Sequence, residues 1–332
     1  MEFNEFEQKM IGWMEEHIGG TFISQRVLKE NDIVRPGITQ LPQGEGIPIS
    51  PTVYIDNLYE KVMRNEMSFP AAASVVENEY LQAINQMNDN MFPKNLLNSS
   101  DFEAVKDHIC MRLVGVKTNE KLLKECPHKI VAGDLAEVYR VVVDKSAEGC
   151  SSYRIDNQIM KEMGVTVEDL HKQAIVNTPN IFPARICSLT EAIMEKIPDE
   201  MKEVFQQGME AMDIPQDVYV LTNDIGLNGA TTILYPEMIE HLQESFGKDI
   251  AVLPSSVHEF IVIKGASDRA LEELHDIVRE ANFSTVQPED YLSDNVYTVG
   301  GKELVNCTYQ DKYEDIQLED FEQPDLDMGM EL

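Results

Sequence analysis

Residues 218–278 read VYVLTNDIGLNGATTILYPEMIEHLQESFGKDIAVLPSSVHEFIVIKGASDRALEELHDIV, and the fold class is decided there. Residues 218–222 and 230–234 are β-prone runs on either side of a turn-rich segment, Asn223 to Gly229, that holds two glycines and two asparagines. Pro236 then opens a helix with Met238, Ile239, Leu242 and Phe246 on one face, and Gly247 closes it. Residues 250–253 and 257–263 repeat the pattern as two strands about Pro254-Ser255-Ser256. The helix that follows is capped at Ser267 or Asp268 and turns Leu271, Leu274, Ile277 and Val278 inward. A strand-strand-helix unit used twice predicts an antiparallel sheet with helices on one face. Residues 296–299 and 304–305, joined through Gly300-Gly301, add a closing hairpin.

Upstream the texture divides the chain. Residues 1–100 read as a mainly helical N-terminal region. Phe3, Phe6, Met10, Trp13, Met14 and His17 recur at helical spacing, and Gly19-Gly20 ends the pattern. Residues 38–41 and 47–49 form a short hairpin on this reading. Ser50-Pro51 starts a helix with Tyr54, Leu58 and Val62 inward, and Pro70 starts another. Residues 101–197 alternate strands, at 109–113, 138–143 and 153–155, with helices at 160–163, 167–175 and 190–194. Residues 198–310 hold the repeated unit, and residues 311–332 form an acidic tail expected to be disordered. The fold class is α+β: a helical N-terminal part, then mixed or antiparallel sheets with helices packed on one face.

Charge narrows the function classes. Fifty-nine acids face 27 Lys plus Arg over 332 residues, a net charge of −32, while hydrophobic residues make up a globular 43%. The tail alone sets nine acids against Lys312. Such a field repels phosphate backbones and anionic membrane, and favours basic partners or metal cations. Cys110, Cys126, Cys150, Cys187 and Cys307 are odd in number and include no CxxC pair, which predicts reduced thiols. No apolar run reaches 18 residues, and the N-terminus lacks the basic and apolar regions of a secretion signal. The expected compartment is the cytoplasm.

Phosphate-binding glycine loops, zinc-protease helices and the serine nucleophile elbow are absent from the sequence, and no cofactor is expected. The candidate site is Ser255-Ser256-Val257-His258-Glu259. With 257–263 as a strand, Ser256 and His258 lie on one face, where they could act as nucleophile and base. The same residues also suit a turn, with the serines satisfying backbone groups and His258 half-buried. Asn223 to Gly229 lacks the spacing of a calcium loop. Asp134 and Glu137 offer two nearby carboxylates, and Cys126, His128 and His108 do not make a metal set at this spacing.

Leu221-Thr222-Asn223, Gly226-Leu227-Asn228-Gly229-Ala230 and Leu253 to Glu259 resemble an uncharacterised bacterial domain-of-unknown-function family of the anaerobic Gram-positive type. Residues 49–54 and 133–136 fit the same family, so the likeness spans nearly the whole chain. Pro254-Ser255 before a strand also resembles a second uncharacterised family, in which an Arg-Asp pair stands where Val257-His258 stands here. The resemblance implies no activity and assigns no functional residue. Two functions follow from the residues: a non-enzymatic acidic protein that binds a basic protein, or a hydrolase-like enzyme using Ser256 and His258.

Overall fold

A computed structural model describes residues 1–41, 50–88, 96, 101–146, 149–203, 217–266 and 268–307. Helix α1 (Phe3–His17) buries Phe6, Met10 and Met14. They pack against an antiparallel sheet of β1 (Phe22–Leu28), β2 (Val34–Gln40) and β3 (Thr52–Tyr54), and against α2 (Asp56–Met63) and α3 (Phe69–Asn88). The helix expected from Ser50 starts at Asp56 instead, because residues 52–54 pair with Gly37 to Thr39 and are held extended by that ladder. Gly37 permits the pairing: a Cβ there would stand 2.4 Å from the Thr52 methyl. The second arm of the expected hairpin, 47–49, and the tail lie outside the described residues.

The middle of the chain forms a second antiparallel sheet in the order β4 (Ile109–Gly115), β6 (Leu135–Ser146), β5 (His128–Val131), with β7 (Gly149–Arg154) also paired to β6. Helices α4 (Phe102–Val105), α5 (Glu120–Glu125), α6 (Asn157–Met163) and α7 (Val167–Ile181) surround it. β4 is an edge strand, yet its amides are not left open. Met111 N–H donates to Thr178 Oγ1 and Leu113 N–H to Thr231 Oγ1, both at 3.0 Å, so hydroxyls replace the missing neighbour.

The third sheet runs β13 (Glu303–Asn306), β12 (Tyr297–Gly300), β10 (Ile250–Ser256), β11 (Glu259–Lys264), β9 (Val218–Asn223), β8 (Ala184–Ser188), with antiparallel pairing throughout. Helices α8 (Leu189–Lys196), α9 (Met238–Phe246) and α10 (Asp268–Thr285) accompany it. Residues 230–234, expected as a strand, are instead part of a buried 3₁₀ turn, Gly229–Leu234. β9 takes β8 and β11 as partners, so the turn fills the space between the two larger sheets, with Thr232 Oγ1 donating to Gly229 O at 2.6 Å. One apolar cluster joins both sheets through Leu113, Tyr139, Leu221, Ile233, Phe260 and Tyr297. Among the described residues no helix is long and apolar enough to cross a membrane.

Candidate functional site

The β10–β11 hairpin pairs Ile250 with Lys264 through to Pro254 with Phe260, then slips by one residue so that Ser256 faces Glu259. The first strand, expected to stop at Leu253, runs on to Ser256, and the second, expected from Val257, starts only at Glu259. Val257 and His258 form the turn, not the first two residues of a strand, so the expected common face for Ser256 and His258 does not exist. Ser256 Oγ accepts the His258 backbone N–H at 3.0 Å, and Ser255 Oγ donates to Glu259 Oε1 at 3.3 Å.

The His258 ring is held at both ends. Nδ1 accepts the Asn228 backbone N–H at 3.0 Å, which places the ring proton on Nε2, and Nε2 donates to Asp290 Oδ1 at 3.1 Å. A base for Ser256 needs a ring nitrogen directed at the hydroxyl. Here one nitrogen holds a backbone amide and the other a carboxylate. The histidine clamps three segments that are distant in sequence: the 223–229 loop, the hairpin turn, and the short 3₁₀ segment Pro288–Asp290.

The loop is shaped to fit that clamp. Asn223 Nδ2 donates to Leu227 O at 2.8 Å and Thr222 Oγ1 to His258 O at 2.8 Å. Asn228 adopts a left-handed backbone with φ 53°. A Cβ on Gly229 would stand 2.1 Å from Thr222 Oγ1 and 2.5 Å from His258 O, so only glycine fits. Stretches 221–223, 226–230 and 253–259 thus meet at a single imidazole.

A family model matches the chain over residues 3–299. The chain belongs to DUF5688, a family of unknown function. No curated protein and no solved structure matches it. In this DUF5688 chain a cleft of about 660 Å³ opens beside the clamp, lined among others by Arg185, Cys187, Glu195, Asn223, Ser256 and His258. That volume suits a small ligand. Its charged walls are internally matched, because Arg185 pairs with Glu195, and Asp224 with Lys145 at 2.5 Å. Burial pushes the Cys187 thiol up, away from the thiolate that nucleophilic chemistry needs.

The other sequence candidates separate. Asp134 Oδ2 accepts from Ser293 Oγ and Asn295 Nδ2, each at 2.8 Å, and from Tyr297 OH at 2.5 Å, while Oδ1 accepts Asn306 Nδ2 at 2.8 Å. Glu137 is buried elsewhere, accepting from Tyr139 OH and lying 2.5 Å from His171 Nδ1. Cys126 is buried with its thiol raised to about 11, and His128 Nδ1 lies 3.0 Å from Cys126 O. Among the described residues no three His, Cys, Asp or Glu side chains are arranged to hold a metal ion.

Sequence reasoning missed the corner between β1 and β2. Glu30 Oε1 accepts from Arg112 at 3.1 Å and Arg140 at 3.0 Å. Asn31, with φ 59°, donates from Nδ2 to Pro288 O and Tyr291 O, both at 2.8 Å. Asp32 accepts the Lys121 and Leu122 amides at 2.9 Å, capping α5 from another part of the chain. The only local signal was a Glu-Asn-Asp triplet in a turn.

Proposed function

We propose that this protein is a non-enzymatic acidic interaction protein of the cytoplasm of an anaerobic Gram-positive bacterium, and that it holds a basic protein partner. The observation that carries this reading is where the cations go. Arg26 pairs with Glu7, Arg35 with Asp56, and Arg112 and Arg140 with Glu30, while Arg154 donates to Leu28 O. Five arginines are thus tied to acids or carbonyls of the fold itself. Each ion pair cancels one acid with one base, so the net −32 of the chain is carried by acids outside these pairs, nine of which stand in the 311–332 segment. Nucleic acid and anionic membrane are repelled by the same field.

The test is an affinity capture from host lysate with the full chain and with a chain ending at Gln310, each at low and high salt. A basic protein retained at low salt and released at high salt is expected, because surface charge attraction is screened within about 10 Å at 0.1 M salt. Retention of nothing, or of a partner indifferent to salt, overturns the reading. Loss on truncation assigns the contact to the tail.

A further inference from the structure

On the outer side of the third sheet, α10 and the β10–β11 hairpin leave an apolar groove of about 430 Å³. Its floor is Leu253, Pro254, Ile261 and Val278, and one wall is Ile277 and Ala281 of the helix. Ile277 is 58% exposed, although a β-branched aliphatic side chain on a long amphipathic helix ordinarily faces the core. Six residues further along, on another face of the helix, Phe283 is 95% exposed. Isolated surface apolars such as Phe283 need no account, but Ile277 lines a groove already floored with apolar side chains.

The rim has a definite sign. Glu273 and Glu280 are exposed and lie four residues before and three after Ile277, on its own face of the helix. The opposite side carries Asp290, which lines the groove and accepts from His258 Nε2, and next to it Glu259, which borders the neighbouring cleft and is bonded to the lining residue Ser255. Arg279, the nearby cation on α10, is two residues from Ile277 and so on a different face.

Resting on the reading proposed above, we infer that this groove is where the basic partner docks, and that the partner presents an apolar side chain flanked by lysine or arginine. The apolar anchor enters between Ile277 and the hairpin. The flanking cations meet Glu273 and Glu280 on one side and Glu259 and Asp290 on the other. An apolar centre within a charged rim is the usual arrangement of a specific interface, and it gives a generally acidic surface one preferred position for a basic chain.

Two labelled peptides of equal positive charge test this by fluorescence anisotropy on the full chain. One alternates leucine with lysine, and the other replaces each leucine by serine. The leucine peptide is expected to bind at least tenfold more tightly. Ile277→Asp, and separately Ala281→Asp, are expected to remove that advantage although each adds a negative charge. Both positions are solvent-facing, and an unchanged melting temperature confirms that the variants fold. Equal affinities for the two peptides, or a leucine-peptide affinity that either variant leaves unchanged or strengthens, overturn the groove while sparing the general reading. Salt-insensitive binding, or none, by both peptides removes the general reading and the groove with it.

Discussion

Glu30 accepts a hydrogen bond from Arg140 at 3.0 Å across 110 residues of chain, and through it the β1–β2 corner is tied to the central strand of the second sheet. Burial raises the Glu30 carboxyl, but Arg140 and Arg112 outweigh it and hold it at about 2. Burial, with Arg112 beside it, lowers the Arg140 guanidinium to about 10, which leaves it charged at neutral pH.

Glu30→Gln is expected to destabilise the protein at pH 7 by about 3 kcal/mol, since two half-buried arginines lose their counter-charge. The sign of the pH dependence follows from the lowered carboxyl. Its stabilisation is complete above the ordinary value of 4.5 and is lost as pH falls toward about 2. Urea melts at pH 7, 4 and 2.5 should show the gap between wild type and variant closing with acid. A gap that is constant or widens would contradict the assignment.

Gly229→Ala is expected to cost about 2–3 kcal/mol or more, because the new methyl overlaps Thr222 Oγ1 and the His258 carbonyl. Gly12→Ala is the opposite case. It sits inside α1 with nothing within 4 Å of the new Cβ, and should stabilise by about 0.5–1 kcal/mol. Thermal melts of the two variants should move in opposite directions.

Asp134→Ala removes the carboxylate that accepts from Ser293, Asn295, Tyr297 and Asn306, and a loss of about 3 kcal/mol is expected. Tyr297→Phe removes a single donor and should cost about 1 kcal/mol. Burial, and then the Asp134 charge, raises the Tyr297 phenol well above its ordinary value. Absorbance titration should therefore find this tyrosine neutral until the protein unfolds in base.

Desolvation pushes the Cys110 thiol to about 12 and Cys126 to about 11. Thiolates carry the reactivity, so at pH 8 these two should be alkylated only as fast as the chain opens. Mass-spectrometric mapping after a short pulse, with and without denaturant, reads this directly.

Ser256 should not label with a fluorophosphonate, because neither nitrogen of His258 is free to receive its proton. Labelling that His258→Ala abolishes would restore the hydrolase reading.

Much of the local structure was legible. The Gly300-Gly301 hairpin, the stripe of α1 and the inward Leu271, Leu274 and Val278 of α10 follow from nearby periodicity, where a residue's partner is three or four positions away or across a tight turn; Ile277, expected inward with them, is instead exposed. The candidate site was legible only in part. Ser255 to Glu259 drew attention as a cluster, yet the bulge that places His258 in the turn, and the Asn228 and Asp290 groups that hold its ring, come from elsewhere in the chain.

By itself the sequence determined the α+β class, the excess of acid and most helix positions, because alternation, helical period and charge are carried by neighbouring residues. Only the tertiary structure decided that residues 230–234 form a 3₁₀ turn, that 52–54 form a strand, and that Glu30-Asn31-Asp32 joins three parts of the chain. The physical reason is shared. A short β-prone run takes whatever conformation its hydrogen-bond partners impose, and here those partners, such as Gly37 for Tyr54 and Tyr291 for Asn31, are supplied by the fold.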